Sequence, residues 1–339
     1  MVLFVVGCHR SGTSLLASLL RDALQLESNP TEGDLQIALD NPRGFHESRR
    51  LQELNDDLLN SISCAWDKPP LLPPDWSPKQ RIDQFCALRS SFAEQALSTN
   101  WVDKDPRLCV TYAAYAHILL RRVHLAAIVR DPLEVATSLY LRNAMPIERG
   151  LAMWFLYNHH LAFHLQDGDE IFNYQDLHLL RSSTNDATKV LEAINNLLSQ
   201  VQQPLVERNR FEAITLTRVA PELNRSANGL PASAANDLSR SMLLPVCREA
   251  VAHWRTSAEP IQGWKEAFGS IPFELSQVLS QNQWHGSGVR EQPETKGNMY
   301  SNELQIRVDN LGQELKTIKS STSWRVTQPL RWLGERLQG

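Results

Sequence analysis

The first two dozen residues of the chain combine an apolar strand, a glycine-containing loop and an amphipathic helix. The apolar run at residues 2–6 leads into the polar stretch Gly7-Cys8-His9-Arg10-Ser11-Gly12-Thr13-Ser14, and leucines then recur at helical spacing. Glycines at both ends of the loop let the backbone approach a ligand closely, and the free N–H groups of the following helix point back toward that ligand. We therefore predict a phosphate-binding loop at residues 7–14.

This loop differs from the nucleotide P-loop at its central position. Gly7, Gly12 and Ser14 match the pattern G-x-x-x-x-G-K-[ST], but Thr13 occupies the position of the lysine. That lysine is the cation that reaches the terminal phosphates of ATP, so its replacement weakens an interpretation as an ordinary kinase or NTPase. Arg10 offers a cation further upstream instead.

The stretch Arg10-Ser11-Gly12-Thr13-Ser14 resembles the 5′-phosphosulfate loop of sulfotransferases that use 3′-phosphoadenosine 5′-phosphosulfate (PAPS), in the form seen in bacterial and Golgi-type members. The resemblance implies that the loop amides, together with Ser11, Thr13 and Ser14, hold the phosphosulfate. It also implies that Arg10 stabilises the negative charge that grows on the bridging oxygen of the departing phosphate.

A second stretch, Arg130-Asp131-Pro132, follows the apolar run His124–Val129 and precedes a predicted helix that contains Ser138. The Ser138 hydroxyl and the Arg130 guanidinium can converge only if the turn between strand and helix folds back. Together with the upstream loop, this pattern resembles the 3′-phosphate element of sulfotransferases. The resemblance implies that Arg130 and Ser138 grip the 3′-phosphate and so distinguish PAPS from ATP, since a planar guanidinium can match two phosphate oxygens.

Glu47 precedes a predicted helix at residues 48–59, where an acid can simply stabilise the helix dipole. The segment Asn41-Pro42-Arg43-Gly44-Phe45-His46-Glu47 resembles the Asn-Pro-[Lys/Arg]-Gly-[Phe/Tyr]-x-Glu segment of many bacterial sulfotransferases, and a Leu-Asn pair follows it. Several related branches use a Glu in this region as general base. The resemblance therefore implies that Glu47 takes the proton of the acceptor, with His46, which titrates near neutrality, as the substitute.

Two further segments are candidates for substrate binding. A short strand near Trp101 ends in the charged turn Lys104-Asp105-Pro106-Arg107, which would place two cations at the carboxyl edge of a sheet, where open parallel sheets bind ligands. A local salt-bridged turn is the alternative. Residues 64–78 hold five prolines and two tryptophans, which predicts a loop. Trp66 could form an acceptor wall, or the loop could only cover the core.

The histidines and cysteines do not indicate a metal centre. His160 and His164 have i, i+4 spacing, but the sequence has neither a His-Glu-x-x-His pattern nor an obvious third ligand. The five cysteines are scattered and form no C-x-x-C pair, so we interpret them as reduced thiols of a cytosolic protein. We predict no metal.

Charge and hydropathy narrow the class of protein. A net charge of −4 and a pI near 6.2 argue against a nucleic-acid-coating protein. The first apolar run is short and has no charged n-region, so we do not interpret it as a signal peptide. No stretch approaches the ~20 apolar residues that span a bilayer. We predict a cytoplasmic protein, with peripheral contact at the inner membrane left open.

Strands alternate with helices along residues 1–200, which predicts a three-layer α/β/α fold with a central parallel sheet and a helical C-terminal tail. We assign residues 1–280 to the sulfotransferase domain, 281–300 to a polar linker and 301–339 to the tail. Tyr174-Gln175-Asp176-Leu177 resembles the Tyr-Glu-Asp-Leu that follows a late core strand in this superfamily, as an element of the fold. Residues 222–226 resemble a late segment with basic residues near the cofactor, which implies a cofactor contact for Arg225.

The tail combines a short heptad seam with a Trp- and Arg-rich end. The seam residues are Leu304, Val308, Leu311, Leu315 and Ile318. Residues 323–333 resemble the tails of bacterial polysaccharide-assembly enzymes, which implies a saccharide or glycolipid acceptor. The tail could self-associate into a homo-oligomer, which we favour slightly, dock a partner, lie on a membrane surface or pack on its own domain.

Together these patterns predict a PAPS-dependent sulfotransferase that needs no metal, because its cations are built in. Two alternatives stay open. A small-molecule P-loop kinase would share the fold, but it would need Mg²⁺ and a replacement for the missing lysine. A non-catalytic nucleotide-binding assembly protein would use the tail as its working part.

Overall fold

A sheet of four parallel strands lies at the centre of the described part of the chain. The computed structural model describes residues 2–25, 48–76, 101–119, 123–219 and 238–281. The strands are β1 (Val2–Val6), β2 (Trp101–Lys104), β3 (His124–Val129) and β4 (Glu170–Asn173). Their order in the sheet is β2-β1-β3-β4, and all pairs are parallel. The predicted central parallel sheet is therefore confirmed.

Helices connect these strands and also follow the last of them. They are α1 (Thr13–Leu24), α2 (Arg49–Asn60), α3 (Leu108–Leu119), α4 (Pro132–Asn143), α5 (Ile147–Ala162), α6 (Tyr174–His178), α7 (Thr184–Gln200), α8 (Arg208–Arg218), α9 (Leu243–Thr256), α10 (Pro260–Phe268) and α11 (Phe273–Gln281).

The sheet is buried on both faces, which explains why its strands have nearly continuous apolar sequences. Side chains alternate along β1, so Leu3 and Val5 belong to one apolar core while Phe4 and Val6 belong to the other. The first core is covered by α1, α7 and α8, and the second by α2, α3, α5 and the C-terminal helices α9, α10 and α11. The helices thus form a layer on each face, and the predicted three-layer fold is confirmed.

Helix α5 is buried around nearly its whole circumference, and its polar residues Asn158, His159 and His160 are buried with the apolar ones. Its Trp154 donates from Nε1 to the carbonyl oxygen of Arg130 at 3.1 Å, just beyond the end of β3. Its His160 lies 2.6 Å through Nε2 from the carbonyl oxygen of Pro70, in the proline-rich segment. The helix therefore holds both the end of a central strand and the loop that sequence analysis predicted at residues 64–78.

A buried polar network joins α2 and α3 to the end of β2. Asn55 donates from Nδ2 to Oδ2 of Asp105 at 3.1 Å. Its Oδ1 accepts from the hydroxyls of Thr111, at 2.6 Å, and Tyr115, at 2.8 Å. Asn55, Asp105, Thr111 and Tyr115 are all fully buried, so each of these groups depends on the others for its hydrogen bonds. This network fixes the backbone that carries Lys104.

The described residues all lie within the compact unit Met1–Trp284. The last described residue, Gln281, ends α11, so residues 282–300 of the predicted linker and the predicted tail at 301–339 lie outside the described residues. Among the helices that the structure describes, none is both long and apolar enough to cross a membrane.

We predict that Asn55→Ala lowers the free energy of unfolding by at least about 2 kcal/mol, because the buried groups of Asp105, Thr111 and Tyr115 lose their hydrogen bonds to Asn55. Urea denaturation of the purified chain measures this change. The matched control is Asn60→Ala at the exposed end of the same helix, for which we expect a change within about 0.5 kcal/mol. Equal effects of the two substitutions would contradict a stabilising role for the network.

Candidate active site

The loop between β1 and α1 has the conformation that its glycines permit. Gly7 has φ 152° and Gly12 has φ 93°, both in the region that side chains rarely adopt. A Cβ at Gly7 would lie only 2.5 Å from the carbonyl oxygen of Ile128 in the neighbouring strand β3. Arg10 also has a positive φ, of 69°, a conformation that is uncommon and costly outside glycine.

Helix α1 begins at Thr13 without a side-chain cap, as do α5, α8, α9 and α10, whereas α2, α4, α6 and α7 have one. Ser48 accepts a hydrogen bond at the start of α2, and Asp131 accepts two at the start of α4. The residue that precedes α1 is Gly12, which has no side chain to supply such a bond. The amides at the start of this twelve-residue helix receive no hydrogen bond from a capping side chain, and the helix dipole favours an anion there.

The loop lies where the strand order changes direction. The chain passes from β1 to β2 on one side and then returns to place β3 on the other side of β1. In open parallel sheets, ligands bind at the carboxyl ends of the strands at such a switch point. The residues at the end of β2 thus lie on one side of the loop, and those that follow β3 lie on its other side.

On the β3 side, Arg10, Ser138 and Arg130 converge. Arg10 donates from Nε to Oγ of Ser138 at 2.9 Å, and Arg130 donates from Nη1 to the carbonyl oxygen of Arg10 at 3.1 Å. Asp131 caps the start of helix α4, and Arg10 links Ser138 of that helix to Arg130 through its side chain and its carbonyl oxygen. The loop and the Arg130 element, predicted as two parts of one site, are in direct contact.

The Arg130 guanidinium is buried between an acid and an aromatic ring. It forms an ion pair with Glu134 at 2.7 Å, and its central carbon lies 4.2 Å from the ring centroid of Tyr174. A Cβ at Gly12 would collide with the same Tyr174 ring. The sequence indicates Tyr174 only as an element of the fold, but its ring packs against both the loop and Arg130.

On the β2 side, a buried lysine contacts the loop. Lys104 is 2% exposed, and its Nζ lies 3.2 Å from Oγ of Ser14. The pairing of Val5 with Lys104 in the sheet brings this lysine beside the end of β1. A cation therefore lies at Ser14 even though the loop has threonine where the P-loop has lysine.

Arg107 forms a salt-bridged turn, which was the alternative to ligand binding for the segment Lys104-Asp105-Pro106-Arg107. It donates from Nε to Asp56 at 2.6 Å and from Nη1 to Asp105 at 3.1 Å, and its side chain is buried. Burial by itself would lower the pKa of Arg107, but Asp105 and Asp56 raise it above the ordinary value. Arg107 is thus a fixed cation that holds the turn after Lys104.

Ser11 has a buried hydroxyl with no hydrogen-bond partner among the residues that the structure describes. The residue is 1% exposed and lies between Arg10 and Gly12 in the loop. An unsatisfied buried hydroxyl costs about 1–3 kcal/mol, and native structures seldom retain one without a reason. An anion held at the loop could accept this hydrogen bond, so the residues present fit a phosphate-like group.

An aromatic wall of His9, Trp66 and Tyr157 lies beside the loop. The ring centroid of His9 is 4.9 Å from that of Trp66 and 5.3 Å from that of Tyr157. Burial lowers the pKa of His9 well below its ordinary value, and the nearby cations Arg107, Lys104, Arg142 and Arg10 lower it further. The sequence carries no signal for a role of His9 or Tyr157, whereas Trp66 is predicted from it as a candidate acceptor wall.

Glu47, His46 and Arg225 lie outside the described residues, so their roles stay predictions. The histidines of α5 make structural contacts. Burial lowers the pKa of His160 to about 3, while its hydrogen bond to Pro70 acts in the opposite direction. Within the described ranges, no three His, Cys, Asp or Glu side chains form a group that could hold a metal ion.

No family model matches the chain. No curated protein matches it either. Among solved structures, one similar chain is the "Sulfotransferase Domain from the Curacin Biosynthetic Pathway", with a TM-score of 0.36 and 14% identity, covering 83% of this chain and 96% of that one. Another is the "Sulfotransferase Domain from the Synechococcus PCC 7002 Olefin Synthase", with a TM-score of 0.36 and 16% identity, covering 84% and 95%.

We predict opposite effects of Ser11→Ala on the free protein and on anion binding. Removal of the unsatisfied hydroxyl should raise the free energy of unfolding of the ligand-free chain by about 1 kcal/mol and weaken the stabilisation by added pyrophosphate. Urea denaturation with and without pyrophosphate measures both.

The matched control is Ser18→Ala in α1, because the buried Ser18 hydroxyl already donates to the Leu15 carbonyl oxygen at 2.8 Å. It should lower stability slightly and leave the pyrophosphate effect intact. A loss of stability in Ser11→Ala with an unchanged pyrophosphate effect would show that the Ser11 hydroxyl serves the fold and not a ligand.

Proposed function

We propose that the chain is a sulfotransferase that moves a sulfuryl group from PAPS to an acceptor hydroxyl. The observation that carries the proposal is the contact between the loop and the Arg130 element. Arg10 bonds Ser138 at 2.9 Å and Arg130 bonds the Arg10 carbonyl oxygen at 3.1 Å. A nucleotide that carries both a 5′-phosphosulfate and a 3′-phosphate has two anionic groups, and two cationic elements in contact can bind them together.

The residues divide between the two anionic ends of this co-substrate. The first amides of α1, with Ser11, Thr13 and Ser14, would hold the 5′-phosphosulfate, and the unsatisfied Ser11 hydroxyl supports this assignment. Arg130 and Ser138 would hold the 3′-phosphate. Bound PAPS supplies an activated sulfuryl group, whose bond to the 5′-phosphate oxygen breaks as the acceptor oxygen bonds to sulfur and the 3′,5′-bisphosphate leaves.

Two cations of the chain would act on the charge that develops in this transfer. Arg10 would stabilise the growing charge on the bridging oxygen, since it belongs to the loop itself. Lys104, whose Nζ lies at Ser14, is buried at 2% exposure, so water screens its charge weakly. Both cations are in place before a ligand binds, which avoids reorganisation during the reaction.

The acceptor must also lose a proton. We assign this step to Glu47, with His46 as the substitute, as the resemblance implies. For the acceptor we propose a saccharide or glycolipid, which rests on the likeness of the tail to those of polysaccharide-assembly enzymes. The proposed location is cytoplasmic, with the tail as the segment for self-association or contact with a membrane surface.

A small-molecule kinase is the second candidate, and Lys104 favours it. Because its Nζ lies at Ser14, Lys104 could replace the lysine that is missing from position 13. This candidate still requires Mg²⁺ and gives no role to the contact between Arg130 and the loop.

Calorimetric titration of the purified chain distinguishes these candidates. We predict that 3′-phosphoadenosine 5′-phosphate binds without metal and more tightly than ADP or ATP, and that Arg130→Ala weakens its binding by about 1.5–3 kcal/mol, the scale of a charged hydrogen bond. The matched control is Arg248→Ala on the exposed surface of α9, which should not change the affinity.

The kinase would be favoured over the sulfotransferase if the chain bound ATP alone. That binding would depend on Mg²⁺ and would not change in Arg130→Ala. A non-catalytic assembly protein would also bind the nucleotide, but deletion of residues 301–339 would abolish its function while substitutions in the pocket would not.

A further inference from the structure

His9 occupies a fixed position in the middle of the phosphate loop. Its neighbour Cys8 is fully buried, whereas the His9 ring is only half-buried. The ring packs at an angle of 57° to Trp66 and of 79° to Tyr157. Two aromatic side chains from distant parts of the chain therefore hold the imidazole in place beside the loop.

The hydrogen bonds of Tyr157 determine which nitrogen of His9 carries the proton. The Tyr157 hydroxyl donates its single hydrogen to the carbonyl oxygen of Trp66 at 2.7 Å. Nε2 of His9 lies 3.1 Å from the same hydroxyl oxygen, which can then only accept. Nε2 of His9 must therefore be protonated, and in a neutral imidazole this leaves Nδ1 with a free lone pair.

Burial lowers the pKa of His9, and the charges around it lower that pKa further, so both favour the neutral imidazole. Arg107, Lys104, Arg142 and Arg10 are the cations that act on it. A neutral imidazole whose Nδ1 has a lone pair repels the oxygens of a phosphosulfate. No described residue donates to Nδ1. The ligand that suits this nitrogen is a hydrogen-bond donor, and a hydroxyl group is such a donor.

We propose that His9 is a positioning residue for the acceptor: its Nδ1 accepts a hydrogen bond from the hydroxyl that is to be sulfated and holds the acceptor oxygen beside Arg10 and Lys104. This role rests on the proposed function. The low basicity of His9 suits it to orient the hydroxyl and not to remove its proton. The half-buried Trp66 indole next to it offers an apolar face, so the acceptor class is a neutral compound with a hydroxyl-bearing ring, such as a pyranoside.

Three substitutions separate this role from a structural one. His9→Gln retains an amide that can donate to Tyr157 but has no polar atom at the position of Nδ1. His9→Asn places an acceptor near the position of Nδ1 but cannot reach Tyr157. Tyr157→Phe removes the tether and leaves Nδ1 in place. His253→Gln, at an exposed histidine of α9, is the matched control.

The readouts use the full chain, with PAPS as donor and methyl β-D-glucopyranoside and 4-nitrophenyl β-D-glucopyranoside as probe acceptors. We expect His9→Gln to lower transfer by about tenfold, the effect of one hydrogen bond, mainly through a higher KM for the probe. His9→Asn should recover part of this loss, and Tyr157→Phe should lose less than His9→Gln. Affinity for 3′-phosphoadenosine 5′-phosphate should be unchanged in His9→Gln.

Nitrogen-15 NMR of labelled histidine tests the protonation state without activity. At about pH 6, below the ordinary histidine pKa of 6.5, His9 should still be neutral and protonated at Nε2, and its Nδ1 signal should shift when a probe acceptor is added. The His9 signal is identified as the one that is absent from the spectrum of His9→Gln.

A charged His9 at that pH, protonation at Nδ1, or equal transfer by His9→Gln and the wild type would overturn the proposal. A wild-type chain that binds the bisphosphate but transfers to neither probe would overturn the acceptor class. A wild-type chain that does not bind the bisphosphate would instead overturn the proposed function on which the His9 role rests.

Discussion

The parallel pairing of β1 with both β2 and β3 is the constraint on which the site depends. It brings the ends of three strands to one edge, so that Arg10, Lys104 and Arg130 meet although they are far apart in sequence. Each is then held by a short contact, Lys104 to Ser14 and Arg10 to Ser138, while Arg130 donates to the loop backbone. Because each face of the sheet packs in its own core, a register shifted by one residue would exchange the side chains of the two close-packed cores.

Several cationic side chains lie at this edge of the sheet, and their partners in the fold explain their positions. Arg107 bonds the carboxylates of Asp56 and Asp105, and Asn55 in turn holds Asp105, so this cation is part of the framework. Arg10 and Lys104 also donate to hydroxyls, those of Ser138 in α4 and Ser14 in α1. The field of these cations favours an anion at the start of α1, and it adds to burial in lowering the pKa of His9.

Sequence patterns predicted the elements whose formation depends on residues that are close together in the sequence. The apolar run of β1, the glycines of the loop and the spacing of α1 are local, and the structure has all three. The contact of Lys104 with Ser14 was not predictable, because it depends on the register between strands some hundred residues apart. The Tyr174 ring reaches Gly12 only because β4 pairs with β3, and His9 acquires its neighbours Trp66 and Tyr157 through α5. Composition and spacing carry no signal for such contacts.

The most direct test of this account is a crystal structure of the full chain with 3′-phosphoadenosine 5′-phosphate. The account predicts the 5′-phosphate at the start of α1, in contact with the amides of residues 12–14, the Ser11 hydroxyl and the Lys104 ammonium. It predicts the 3′-phosphate between Arg130 and Ser138. A nucleotide bound away from residues 7–14, or one whose 3′-phosphate contacts neither Arg130 nor Ser138, would contradict it.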